Sequence, residues 1–250
     1  MLYYITGMGD TMEILDKYIT NQGEIYNIRD VHLYNISEIM NIGKLVKVTG
    51  VKSKFFDGSN LGVSIFKSHY NPNYGLKIYN DFVDYRYFPH FDHLFVQELQ
   101  NKQENIKLTE FPTGVVTIEN KVVGQEIKFY NDHVELTDCI SKVDIIDIYL
   151  KILEILKELC SDDIYYCDVN TRNFMIDLEN MVVKLIDFDK QYVTIKDTPN
   201  RYYYKGMLDN LKRMIKNIND EYKIKFDESF YKIESLDQMQ EYVYEKQYKK

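Results

Sequence analysis

At 250 residues the chain is long enough for one large domain or for two small lobes sharing a cleft. Apolar residues at 45 % allow a sizeable core, and a net charge of −8 argues against broad binding to nucleic acid or to an anionic membrane. No apolar run reaches the roughly 20 residues that span a bilayer, because the best stretch, Ile145 to Leu159, is broken by Asp147, Lys151, Glu154, Lys157 and Glu158. The opening MLYYITGMGDTMEILDKY lacks the basic start and long apolar core of a secretion signal. The three cysteines, Cys139, Cys160 and Cys167, are odd in number and lack zinc-site spacing. They read as reduced thiols, and the expected location is the cytoplasm.

In chain order, residues 1–43 form an N-terminal extension of unknown role. Thr11 is placed to cap a short helix through Tyr18, and ISEIMNIG (36–43) reads as another helical piece ending at Gly43. From Lys44 the pattern turns to strands: LVKVTG, SKFFDG, GVSIFKS and YGLKIY are short runs rich in β-branched and aromatic residues. Pro89 precedes a helical stretch in which Phe91, Leu94, Phe95 and Leu99 share a face. GVVTIEN and KVVGQEIKFY read as two more strands, and 131–142 as a loop or short helix. Residues 143–160 form the clearest helix, with Ile145, Tyr149, Ile152, Leu153, Leu156 and Leu159 on one side. FMID and VVKLID then flank the turn LENM. KGMLDNLKRMIKN (205–217) reads as a helix, and the polar, Tyr-rich segment 221–250 as a tail. The order predicts an α+β fold: a mostly antiparallel sheet with one helix over 44–130, then a mainly helical part with a small hairpin over 131–220.

The chemistry concentrates in YYCDVNTRNFMIDLENMVVKLIDFD (165–189). Asn173 follows Asp168 by five residues, and Asp187 closes the second strand of the hairpin. Asn173 and Asp187 are hard oxygen ligands of the kind that suit Mg²⁺. Asp168 is suited to orient an acceptor hydroxyl and take its proton.

D-x-x-x-x-N followed by a hydrophobic run and D-F-x resembles the catalytic loop and metal-binding motif of the protein-kinase-like superfamily. The resemblance is sharp over 165–189 and extends as element order over roughly 44–217. It implies a bilobal fold with an N-terminal sheet lobe and a small, mainly helical C-terminal lobe. It further implies transfer of the γ-phosphate of ATP, with Mg²⁺, to a hydroxyl: Ser/Thr on protein or a small hydroxyl compound, with no nucleic-acid or membrane partner. Asp168 then resembles the catalytic Asp, and Asn173 and Asp187 the metal ligands. Lys77 resembles the lysine that meets the α/β-phosphates. Glu98 is its expected ion-pair partner, with Glu104 as fallback. Gly58 and Gly62 in DGSNLGVSIF resemble the glycine-rich loop over phosphate. Glu126–Tyr130, including Phe129, would face adenine, with Val115 and Ile127 as pocket walls.

The departures carry information. The family's H-R-D reads Tyr166-Cys167-Asp168, which disfavours activation through a phosphorylated loop. The usual Lys two residues after the catalytic Asp is Asn170, with Arg172 nearby, and no A-P-E follows. Asp187-Phe188-Asp189 replaces D-F-G and resembles the aminoglycoside and choline kinase branch. A small-molecule kinase, a nucleotide-binding pseudokinase and an AMP-transferring relative are the alternatives. Other signals read as structural. His90 and His93 suit a helix start, Cys167 a small core residue, and GMGDT (7–11) lacks the third glycine of a dinucleotide loop.

Overall fold

The computed structural model describes residues 17–19, 25–27, 32–35, 63–67, 73–79, 93–118, 121–130, 132–190, 192–196 and 201–248. Among these the protein is α+β, with small, mainly antiparallel sheets and five α-helices. The chain divides into two compact units. The first holds the described residues before Asn105 and those from Phe111 to Tyr130. The second holds Asn105–Glu110 and the described residues from Asp132 onward.

In the first unit, β1 (Lys17–Ile19) pairs antiparallel with β2 (Ile25–Asn27). Lys17 and Tyr18, expected at the end of a short helix, therefore lie in a strand. The five-stranded sheet runs β3-β6-β7-β5-β4. Its members are β3 (His32–Asn35), β4 (Val63–Lys67), β5 (Tyr74–Tyr79), β6 (Gly114–Ile118) and β7 (Lys121–Lys128). β3 pairs parallel to β6, while the other neighbours are antiparallel. The sheet thus begins before Lys44, inside the segment expected to be a separate extension.

α1 (His93–Lys102) buries Phe95, Val96 and Leu99 and leaves Leu94 half-buried. The Gln100 side chain donates to Pro112 O at 2.6 Å, and Phe111 N donates to Gln103 Oε1 at 2.8 Å. Side-chain amides on the last turn of the helix and just past its end thereby hold the strand entry that follows.

In the second unit the core is built around α3 (Ile145–Ser161), whose N-terminus is capped by the Asp144 carboxylate accepting from Ile146 N at 3.0 Å. All six residues of its expected stripe are buried, and Ile146, Ile148, Leu150 and Ile155 are buried too. The wider burial follows from packing on several sides. α3 meets β9 (Ile164–Tyr166), β11 (Val182–Leu185) and α5 (Leu236–Tyr248). Glu158 on α3 accepts from Lys107 N at 2.8 Å and Leu108 N at 2.9 Å, which anchors 105–110 in this unit. α4 extends over Arg201–Tyr222, longer than the expected 205–217. The buried Tyr149 hydroxyl donates to Asn219 Oδ1 on α4 at 3.0 Å.

The segment expected to be a polar tail instead completes this core. Phe230, Ile233, Leu236, Met239 and Val243 are all buried. Leu236, Met239 and Val243 stand at i, i+3 and i+7, the narrowest stripe that still gives a helix one apolar side. Ser235 Oγ accepts from Gln238 N at 3.1 Å at the head of α5. The stretch 131–142 carries a short strand, β8 (Val134–Glu135), then α2 (Leu136–Cys139) and a 3₁₀ turn. Among the described residues no helix is long and apolar enough to cross a membrane.

Candidate metal and nucleotide site

The site grows out of strand β9. Its partner is β12 (Val193–Ile195), antiparallel, with Tyr166 opposite Val193. The chain between these strands leaves along the loop 167–170 and makes a 3₁₀ turn at Thr171–Asn173. It then runs out and back as a hairpin, β10 (Phe174–Asp177) and β11, and returns through Ile186–Asp189. Asp177 holds the hairpin turn, its carboxylate accepting from Glu179 N at 2.9 Å and Asn180 N at 3.1 Å. Because β10 and β11 are in register from Phe174↔Leu185 to Asp177↔Val182, the residue after each open end is fixed. Ile186 N donates to Asn173 O at 2.8 Å, so Asp187 arrives beside Asn173. Cys167 N donates to Tyr192 O at 2.7 Å and fastens the other end.

Asn173 is buried, 6 % exposed, and its amide is the hub of the cluster. Nδ2 donates to Tyr166 OH at 2.7 Å, to Asp168 O at 2.8 Å and to Asp168 Oδ2 at 2.8 Å. The two Asp168 oxygens accept only, so this end of the amide must be the NH₂ group. Oδ1 is thereby turned away from them.

The Tyr166 hydroxyl donates in turn toward Ile186 O at 3.1 Å and Asp187 O at 3.3 Å. The Tyr166 ring is fully buried and meets Phe188 edge-on at 5.4 Å. Burial, followed by the charges of Asp187, Asp168 and Asp189, pushes the hydroxyl well above the usual tyrosine range, so it stays protonated.

Asp187 has φ 70, in the left-handed region. Among the described residues the other non-glycine residues of this kind, Asp163, Met181 and Lys223, sit just past helix ends or in the hairpin turn, where such a conformation terminates an element. Asp187 ends no helix and closes no hairpin. A left-handed non-glycine residue costs of order 1–3 kcal/mol, and here the surrounding bonds hold it.

Asn170, where the family pattern has Lys, folds back on the loop. Its Nδ2 donates to Asp168 O at 2.9 Å, and its Oδ1 accepts from Arg172 N at 3.0 Å. Arg172 itself is exposed. The Cys167 thiol is half-buried and pushed up by burial and by Asp168, which disfavours the thiolate and fits a packing role. Asn210 on α4 donates to Cys167 O. Tyr166 and Asn170 are the site residues that sequence reasoning missed. Both enter the sequence reading only as departures from the family pattern, not as partners of Asp168 and Asn173.

Asp168, Asn173 and Asp187 are thus gathered within one unit. The remaining sequence-derived residues belong to the other unit. Lys77 lies on β5 opposite Ile65 and Gln125 and is 6 % exposed. Glu98 is on the exposed side of α1, and Glu104, exposed as well, lies past its end. Ile127 pairs with Gly75 and is half-buried. Phe129 N donates to Asn73 O at 2.7 Å, which extends the β5–β7 ladder. Glu126 is buried and accepts from Thr113 Oγ1 at 2.8 Å. Val115 lies in β6 opposite Gln125. Gly58 and Gly62 lie outside the described residues.

Among the described residues, no group of three or more His, Cys, Asp or Glu side chains is placed to hold a metal by itself. The pair Asn173 and Asp187 offers oxygen ligands only. Such a partial set fits Mg²⁺, which keeps waters and is bound through one or two carboxylates plus substrate phosphates rather than by an all-protein cage. A scan against protein-family models gave no match, and no curated protein matches the chain.

Proposed function

We propose that this chain is an ATP- and Mg²⁺-dependent phosphotransferase with a bilobal, protein-kinase-like fold, acting on a hydroxyl acceptor, Ser/Thr on protein by preference. The observation that carries the reading is the amide of Asn173. Three hydrogen bonds to Asp168 and Tyr166 leave its Oδ1 facing away, beside an Asp187 held in a left-handed conformation. With its nitrogen end committed to Asp168 and Tyr166, the oxygen end of the amide supports a cation-ligating role.

In this reading Asn173 Oδ1 and the Asp187 carboxylate hold Mg²⁺. When bound, the ion neutralises phosphate oxygens during transfer. Asp168 orients the acceptor hydroxyl and takes its proton. Its backbone carbonyl is fixed by two amide donors, from Asn170 and Asn173. One carboxylate oxygen, Oδ2, is held by Asn173. Lys77, with Glu98 as its partner, is assigned to the α/β-phosphates, the Gly58–Gly62 loop to the phosphate cover, and Ile127 and Phe129 to the base.

Incubation with γ-labelled or α-labelled ATP and Mg²⁺ tests the reaction class. Label passed to an acceptor from the γ position only is the expected result, and its loss in Asp168→Ala with nucleotide binding intact assigns the step. Label passed from the α position would replace phosphoryl transfer by AMP transfer. No transfer from either position, with nucleotide bound equally by both chains, would make the protein a nucleotide-binding pseudokinase.

A further inference from the structure

Tyr166 is a buried hydroxyl that reaches both proposed metal ligands at once. It accepts from Asn173 Nδ2 at 2.7 Å and donates toward the carbonyls of Ile186 and Asp187 at 3.1 and 3.3 Å. Its ring is locked by full burial and by the edge contact with Phe188. We infer that Tyr166 is a positioning residue for the metal: it sets which end of the Asn173 amide faces outward and pins the left-handed Asp187. The inference rests on the phosphotransferase reading and deepens it.

An amide turned end for end would set Oδ1 against two Asp168 oxygens that cannot donate. It would also force the Tyr166 proton to choose between Asn173 and the 186–187 carbonyls. With the observed orientation every hydrogen has an acceptor, and the oxygen is the end of the Asn173 amide left to meet a cation beside the Asp187 carboxylate. Removing the Tyr166 hydroxyl takes away one of three acceptors at Asn173 and the side-chain bond to the Asp187 carbonyl. Partners behind metal ligands typically contribute about 10–100-fold to metal affinity.

The test uses the full chain, a non-hydrolysable ATP analogue and Mn²⁺ followed by electron paramagnetic resonance. Tyr166→Phe is expected to raise the Mn²⁺ concentration for half-saturation about tenfold, with binding of the metal-free analogue unchanged. In an Asn173→Ala background the same substitution is expected to change Mn²⁺ affinity less than about twofold, because the hydroxyl acts through that amide. An unchanged half-saturation in Tyr166→Phe, or an equal loss in both backgrounds, overturns the positioning role and leaves the phosphotransferase reading standing. Wild-type chain that takes up no Mn²⁺ with the analogue removes that reading and this inference with it. Should Tyr166→Phe not fold, the wild type decides by nuclear magnetic resonance. Side-chain amide hydrogens of Asn173 that exchange slowly and persist when Mg²⁺ and analogue bind support the role, and hydrogens that exchange freely overturn it.

Discussion

The cluster around Asn173 and the strand that carries Lys77 differ in how their geometry is encoded. The first is closed by bonds between residues five to twenty-one positions apart, from Asp168–Asn173 to Tyr166–Asp187. A turn and a four-residue-strand hairpin lie between them, and each is specified locally. Lys77 depends instead on register across a sheet whose neighbouring strands come from before and after α1. Spacing alone therefore conveys the arrangement of Asp168, Asn173 and Asp187. For Lys77 and Glu98 spacing names candidates on separate elements and leaves their pairing to the packing of α1 against the sheet.

The largest effect expected from breaking this contrast is at Asp168. Asp168→Ala should lower phosphoryl transfer by about 10²–10⁴-fold, the range for removing a positioned proton acceptor, with ATP affinity nearly unchanged in a binding titration. Asp187→Ala should show the opposite pattern, losing the Mg²⁺-dependent part of ATP binding. If both substitutions reduced only stability, the cluster would be a structural knot. For the other region, Lys77→Met should weaken nucleotide binding by about 10–100-fold, as expected for one charge-assisted contact of about 1.5–3 kcal/mol. Unchanged affinity would remove Lys77 from the site and leave the Asn173 cluster untouched.

Much of the second unit was legible because its signals are local. The alternation in FMID and VVKL around LENM is the β10–β11 hairpin, and the apolar spacing over 145–159 is α3. What escaped notice depends on distant partners. β9 and β12 are three-residue strands, too short for a periodic signal, and they exist because Tyr166 meets Val193 across the returning chain. Tyr166 itself looks like any core aromatic until its hydroxyl is seen to bridge two loops. α5 hides its three-residue stripe among tyrosines and charges. β3 joins the sheet in parallel, a pairing that no adjacent turn announces.

Two smaller predictions sharpen the contrast on the side of stability. Met239 is fully buried on α5, so Met239→Ala should cost about 2–5 kcal/mol in urea denaturation. A cost near zero would return residues 221–248 to the status of an appendage. Asp144→Ala removes the cap of α3 and should cost about 1 kcal/mol, read as a lower thermal midpoint. The cap bond is peripheral to the Asn173 cluster, so metal-dependent nucleotide binding by the folded fraction should be retained.

The most direct measurement is a crystal structure of the full chain with Mg²⁺ and a non-hydrolysable ATP analogue. The expected result is a metal that joins phosphate oxygens to Asn173 Oδ1 and the Asp187 carboxylate, with Asn173 Nδ2 still bonded to Asp168 and Tyr166. A nucleotide bound with its metal away from Asn173 and Asp187, or an Asn173 amide turned to present Nδ2 to the ion, would contradict it.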